Sequence, residues 1–266
     1  MNYKKEFFDN GYFLIEDFIS QEIIHTILAY LEKMEPTIKV PFSDQAWGYG
    51  NLRTDSFINK NIKINAVLDL CQNLTGQDSR INHIICNRKP AFIGPDYEWH
   101  REIFNSSTFA PGASLENLRN NWIQIYLPLL DESEANGGLQ IVTNSHKIDF
   151  LDSEDIVNTN YSHKRRVTRK SMIEATKNGD ILPLNLKAGS LLIFSSFLVH
   201  ASPINLSPVD RLSLVAQAAP SNFIPDEEIY NSEVDFRASF IKESLLKAID
   251  KFSDKERYSS FKKSKD

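Results

Sequence analysis

From Ile81 to Ala218 the chain alternates short runs of β-branched, aromatic and aliphatic residues with clusters of turn formers. The runs that read as strands are Asn82–Asn87, Phe92–Ile93, Glu98–Arg101, Trp122–Pro128, Gly138–Ile141, Leu182–Leu186, Ser190–Phe194 and Ser213–Ala218. Turn signals stand between them at Gly94-Pro95-Asp96, Asn136-Gly137-Gly138, Asn178-Gly179-Asp180 and Lys187-Ala188-Gly189. Parallel strands need a crossover of a dozen or more residues, and no series of βαβ helices intervenes here. The expected architecture is mainly β with flanking helices, an antiparallel sandwich or jelly roll.

The segment before it reads differently. Lys4–Asp9 is a helical turn stopped by Asn10-Gly11, and Tyr12–Ile15 is rich in strand formers. Ser20 caps a helix on which Ile23, Ile24, Ile27, Leu28 and Leu31 share one face, with His25 beside them as a packing or surface residue. A further helix runs from Ile62 to Leu74 and ends at Gly76. Between these, Pro36–Lys60 has little periodicity, gathers Trp47, Gly48, Tyr49, Gly50 and Arg53, and is long enough to form a lid. A charged insert at about 149–177 reads as helix or loop, and the Lys-rich end from Glu243 is expected to fray. We read 1–266 as one domain: an N-terminal segment (1–80) on a jelly-roll core (81–220), then a helical tail (221–266).

Composition narrows the class of partner. Hydrophobic residues make up 41% and charged residues 24%, the balance of a soluble globular chain. A net charge of −5, with basic residues mixed among acidic ones, offers no face for a nucleic-acid backbone. The longest stretch without Asp, Glu, Lys or Arg, Ala188–Val209, holds five serines, His200, Asn205 and two prolines, so no membrane span is expected. Charged residues appear before any apolar signal-peptide core, and Cys71 and Cys86 read as reduced thiols; both point to the cytoplasm. Nothing in the sequence sets an oligomeric state.

The P-loop, the dinucleotide-binding glycine fingerprint, the H-E-x-x-H zinc motif and the G-x-S-x-G nucleophile elbow are all absent. What the chain carries instead is His100-Arg101-Glu102 at a strand edge. Residues i and i+2 of a strand point the same way, so His100 and Glu102 converge while Arg101 faces away. Far along the chain, His200 ends the apolar run Leu191–Val199. Two imidazoles and one carboxylate leave the opposite side of a metal open, which is the ligand set of non-haem iron(II) oxygenases. A lone His-x-Glu is more often a solvated strand face, so the reading depends on its company. Arg211 opens the strand-like Leu212–Ala216, and an arginine inside a barrel needs an anion. That anion is either a structural Asp or Glu, or the carboxylate of a cosubstrate. His83, His146 and His163 read as structural.

From Phe7 to about Ala219 the sequence resembles the phytanoyl-CoA dioxygenase superfamily. The resemblance is carried by Phe8–Ser20, by Trp122–Asp131 with Asn136–Val142, and by Asn144-Ser145-His146-Lys147, where the family has Gly in place of Asn144. Its most specific block is Gly189–Phe194 followed by His200-Ala201-Ser202 and Arg211. The resemblance implies a double-stranded β-helix (jelly roll, cupin-like) that holds Fe(II) on His100, Glu102 and His200. It further implies Arg211 and Ser202 on the distal carboxylate of 2-oxoglutarate, with Trp122 lining the same pocket. The family pattern is His-x-Asp, and this chain has His-Arg-Glu, one methylene longer at unchanged charge. Halogenating relatives carry a small residue there, so Glu102 argues against that chemistry.

The implied reaction consumes O2 and 2-oxoglutarate, releases succinate and CO2, and hydroxylates a small organic substrate. Tyr49, Arg53, Asn87, Arg101 and Ser106-Ser107-Thr108 are candidates to face that substrate, which would then be polar and anionic. Two other readings stay open: a metal-binding jelly roll that works without 2-oxoglutarate, and a barrel that binds without catalysing. Dependence of turnover on 2-oxoglutarate separates the first, and succinate release the second.

Overall fold

Local signals build the N-terminal segment. In the computed structural model the Asn2 side chain accepts from Lys5 N–H to open helix α1 (Tyr3–Asn10). Gly11 ends it at φ 83°, a left-handed conformation that glycine adopts without strain. Strand β1 (Tyr12–Ile15) follows, and the Ser20 side chain caps helix α2 (Gln21–Leu31), whose Ile24, Ile27 and Leu31 are buried. Short strands β2 (Ile38–Lys39) and β3 (Ala46–Tyr49), helix α3 (Ser56–Asn61) and helix α4 (Ile64–Thr75) complete the segment. The stretch expected to be a lid thus carries the β2–β3 pair and α3 in its described part. Sequence periodicity missed α3 because six residues make under two turns.

The structure describes residues 2–36, 38–39, 46–50, 52–94, 96–103, 115–155 and 165–221. All of these fall in one compact unit, Met1–Phe223. The expected tail beyond 221, Ser106-Ser107-Thr108 and His163 lie outside the described residues.

The β region runs through β4 (Ser79–Lys89), β5 (Tyr97–His100), helix α5 (Leu115–Asn121), β6 (Ile123–Pro128) and β7 (Gln140–Val142). A hairpin of β8 (Ser153–Asp155) and β9 (Arg165–Val167), then helix α6 (Arg169–Ala175), occupy the charged insert. The chain closes with β10 (Ile181–Pro183), β11 (Leu191–Ser195), β12 (His200–Ser202) and β13 (Arg211–Pro220). Seven strands pair in the order β1-β11-β6-β13-β4-β3-β2 and four in the order β10-β7-β12-β5, every pair antiparallel. The expected jelly roll is what forms.

The larger sheet has two different faces. Ile84, Cys86, Ile123, Ile125, Ile193, Leu214 and Ala216 pack with the helices' Ile24, Ile27, Val67 and Leu74. The opposite face turns Tyr126, Leu192 and Phe194 towards Ile141 of the smaller sheet and Leu198 beside it, so the barrel interior lies between the two sheets. No helix among the described residues is long and apolar enough to cross a membrane.

Two strand expectations are corrected. Phe92 and Ile93 form a turn, closed by Gly94 N–H on Pro90 O, and are 62% and 50% exposed. The apolar run Leu191–Val199 is not one strand. It breaks after Ser195, whose Oγ accepts from Phe197 N–H and whose carbonyl accepts from Leu198 N–H. The chain then crosses to the other sheet, and His200 begins β12 instead of ending β11.

His146, read as structural, sits buried in a 3-10 turn, its Nε2 3.2 Å from Phe8 O, which ties α1 to the barrel. A Cβ at Gly11 would lie 2.5 Å from its ring, so this contact needs glycine as much as the turn does. Burial lowers the His146 pKa below 6.5. The unfolded chain therefore binds the proton more readily, and His146 contributes stability that is present above pH ~6.5 and lost as pH falls through the depressed value. Thermal unfolding from pH 8 to 5 should show a smaller acid loss in His146→Gln than in the unaltered chain; equal losses would exclude His146 as the cause.

Candidate iron and oxo-acid site

The strand pairing β5–β12 sets His200 directly opposite His100. Each imidazole places Nδ1 against the carbonyl two residues earlier, His100 on Glu98 O at 2.6 Å and His200 on Leu198 O at 2.9 Å. A carbonyl only accepts, so each Nδ1 carries the proton and each Nε2 keeps a lone pair. Glu102 follows β5, its N–H held by Ser196 O at 3.1 Å. Its Oε1 lies 3.6 Å from His100 Nε2 and 3.4 Å from His200 Nε2. The three ligand atoms fall within 4.8 Å of one another.

This set fits a divalent metal. Ligand atoms ~2.1 Å from one ion and at right angles lie ~3.0 Å apart, so the glutamate oxygen, at 3.4 and 3.6 Å from the two nitrogens, needs to move in by about half an ångström, which its flexible side chain can give. His200 is buried, with its ring 5.0 Å from Phe194 in an edge contact. Burial, reinforced by His100, lowers its pKa and keeps the ligand form populated. Arg101, between the two candidate ligands and just past β5, turns away from them. It donates to Ile148 O and Asp149 O at 3.0 and 2.9 Å and lies 5.0 Å from the Phe197 ring. It is 1% exposed, so the expectation that it faces substrate is corrected. Tyr49 is corrected likewise, because it packs on the helix side of the larger sheet.

Arg211 opens β13 at the other end of the interior. Its NH1 donates to Gly137 O and to Ser202 Oγ, both at 2.5 Å, and Ser202 Oγ itself donates to Gly137 O at 2.8 Å. Gly137 has φ 76°, and a Cβ there would meet Pro203 O at 2.4 Å; only glycine offers its carbonyl in this position. The nearest anion is Glu132, with Oε1 3.8 Å from Arg211 Nε, and that nitrogen is buried without a hydrogen-bond partner. Glu132 is occupied by Tyr126 Oη, at 2.8 and 3.0 Å from its two oxygens, and Ser213 Oγ donates to Tyr126 Oη at 2.8 Å. Burial raises the Glu132 pKa, opposed first by Arg211. The donor set fits an incoming carboxylate: a buried guanidinium with a spare N–H beside a hydroxyl.

Strand register shows what else faces the interior. Arg211, Ser213, Val215 and Gln217 on β13 stand opposite Lys89, Asn87, Ile85 and His83 on β4, all on the inward face. On β6 the inward positions are Gln124 and Tyr126, with Trp122 of the same parity just before the strand. Asn87 thus stands where the sequence put it. Trp122 is buried near Glu102: its carbonyl accepts from Ser196 N–H, whose own carbonyl holds the Glu102 N–H. The aromatic at the Arg211 end is Tyr126, four residues on. Sequence reasoning missed Tyr126, Glu132, Lys89, Gln124 and Gly137. A usable signal was present: polar side chains at every second position of strands that otherwise read as apolar.

Residues 7–213 match the phytanoyl-CoA dioxygenase (PhyH) family. The chain belongs to that family. It is accordingly an iron(II)- and 2-oxoglutarate-dependent dioxygenase. Ectoine dioxygenase of Bordetella parapertussis is 23% identical over 224 residues, 77% of this chain and 70% of that protein. A probable alpha-ketoglutarate-dependent hypophosphite dioxygenase of Stutzerimonas stutzeri is 21% identical over 238 residues, 84% of this chain and 79% of the relative. EctD from S. alaskensis, solved with 2-oxoglutarate and 5-hydroxyectoine, superposes with a TM-score of 0.62 at 18% identity, covering 83% of this chain and 76% of that one. At that identity the likeness speaks for the fold, and the PhyH family site must be argued from this chain's own residues.

Proposed function

We propose that His100, Glu102 and His200 hold iron(II), that Arg211 and Ser202 hold the distal carboxylate of 2-oxoglutarate, and that a small polar substrate is hydroxylated beside them in the barrel interior. The observation that carries this is the convergence of His100 Nε2, His200 Nε2 and Glu102 Oε1 from the paired strands β5 and β12 of the smaller sheet, with a partly satisfied arginine facing the same interior. Bound iron would supply the activation of O2, coupled to oxidative decarboxylation of the cosubstrate. The chain's residues do the rest. Glu98 and Leu198 carbonyls orient the imidazoles, Arg211 fixes the far end of the oxo-acid, and Phe194 and Leu198 exclude water.

Asn87, His83, Gln124 and Gln217 on the inward face favour a substrate with hydrogen-bonding groups over a hydrocarbon. Relatives named ectoine dioxygenase and probable alpha-ketoglutarate-dependent hypophosphite dioxygenase support a small polar substrate. The proposed location is the cytoplasm, a reducing compartment in which Cys71 and Cys86, buried as free thiols, stay reduced. Succinate release on addition of iron(II), 2-oxoglutarate and O2 tests the class. Turnover of a substrate panel independent of 2-oxoglutarate would refute it.

Glu102→Asp, which restores the family's shorter carboxylate, retracts the oxygen by about one C–C bond, ~1.5 Å. With Oε1 already 3.4 and 3.6 Å from the two nitrogens, iron(II) affinity should fall by roughly 10–100-fold, the scale of a misplaced ligand. Anaerobic iron titration measures it, and an affinity gain would show that the backbone has not adapted to glutamate.

A further inference from the structure

We infer that Lys89 is a second cation of the distal-carboxylate site and takes up a proton when a dicarboxylic oxo-acid binds. The inference rests on the role given to Arg211 above. Lys89 ends β4 directly opposite Arg211, on the inward face. Its Nζ donates to Ser202 O at 2.6 Å and Pro203 O at 2.5 Å. It therefore grips the same serine whose hydroxyl receives Arg211 NH1. Asn205 Nδ2 donates to the Lys89 carbonyl at 3.0 Å, and Gly94 packs so closely that a Cβ there would lie 2.7 Å from Lys89 Cβ. The side chain is fully enclosed and lies 5.1 Å from the Tyr97 ring.

The groups facing Lys89 are Arg211 on β13, Glu132 after β6, Tyr97 on β5 and exposed Asp96 before it. Among the buried members Arg211 and Glu132 already balance. A third buried charge would be uncompensated, and burial together with Arg211 pushes the Lys89 pKa down to about 5. A neutral amine has two N–H donors and a lone pair, and the Ser202 and Pro203 carbonyls take both donors. Protonation of the lone pair makes a third N–H that needs an acceptor and a counter-charge. A carboxylate docking on Arg211 supplies both. The cluster then sets two cations against two anions, where it had set one against one. The proton comes from solvent, and no bond other than N–H forms.

Calorimetric titration of the full chain loaded with Mn(II), a redox-quiet stand-in for iron(II), tests this at pH 7 in two buffers of different ionisation enthalpy. The ligands are 2-oxoglutarate and pyruvate, which chelate a metal through the same oxo-acid group but differ at the distal carboxylate. Any proton change at the metal centre cancels between them. We expect uptake of roughly one more proton with 2-oxoglutarate. Lys89→Met should remove that difference and weaken 2-oxoglutarate roughly 10–100-fold while leaving pyruvate affinity unchanged. Equal proton uptake for both acids in the unaltered chain overturns the inference, and needs no variant to fold. Uptake that persists in Lys89→Met assigns the proton to Glu132 and overturns it too. If neither acid binds, the metal-centre reading fails; if they bind alike, the Arg211 reading fails.

Discussion

His200→Ala is expected to abolish the visible charge-transfer absorption that iron(II) and 2-oxoglutarate give together under anaerobic conditions, and turnover with it. Among the described residues His200 is one of two candidate nitrogen ligands, and its ring is held from three directions: Leu198 O behind it, Phe194 at its edge and His100 opposite. Loss of an outer partner of a ligand costs roughly 10–100-fold in metal affinity. Loss of the ligand itself, leaving one imidazole and one carboxylate, should exceed that. The exposed His25 on α2 serves as the control, since His25→Ala should leave the band unchanged. A band that survives in His200→Ala would mean that the metal sits elsewhere.

Arg211→Met should do two separable things. It removes the anchor of the distal carboxylate, worth roughly 1.5–3 kcal/mol for a charged hydrogen bond, so 2-oxoglutarate should bind at least tenfold more weakly. It also strips the buried Glu132 of its neighbouring cation, which costs about 3–5 kcal/mol of stability when one member of a buried pair is removed. The second effect is reversible in design. Glu132→Gln in the Arg211→Met background removes the stranded charge and keeps an acceptor for Tyr126 Oη, so it should recover most of the lost unfolding midpoint. It should recover none of the 2-oxoglutarate affinity. If affinity returned along with stability, Arg211 would be a structural partner of Glu132 and no more.

The sequence carried the strands whose two faces differ strongly. β4, β6, β11 and β13 alternate or run apolar over five to eleven residues, enough for a period-2 reading. It did not carry β12, because His200-Ala201-Ser202 is too short to show a period and follows an apolar run without a glycine or proline break. It misread Phe92-Ile93, an apolar pair that the turn leaves in solvent. The candidate metal ligands were legible because His100 and Glu102 stand two residues apart where β5 ends and His200 sits in a recognisable block. Lys89, Glu132, Tyr126 and Gly137 were not, because what they do comes from register between strands more than a hundred residues apart, or from a backbone carbonyl that no side-chain motif reports.

The pairing of β4 with β13 has a consequence for how such a chain acquires new chemistry. Lys89 and Arg211 occupy one end of the ladder, and His83 and Gln217 a point six residues away on each strand, or ~20 Å at ~3.3 Å per residue. The ladder works as a graduated rule. Its first mark is set by Lys89, Arg211 and a glycine carbonyl and tolerates little change. The later marks at 83, 85, 87, 215 and 217 project into the same interior at two to six residues from that end. Under the proposed roles, mutation at those marks would alter which molecule is oxidised while the end that holds the oxo-acid keeps its dimensions, so diversification along this strand pair would start from a working engine.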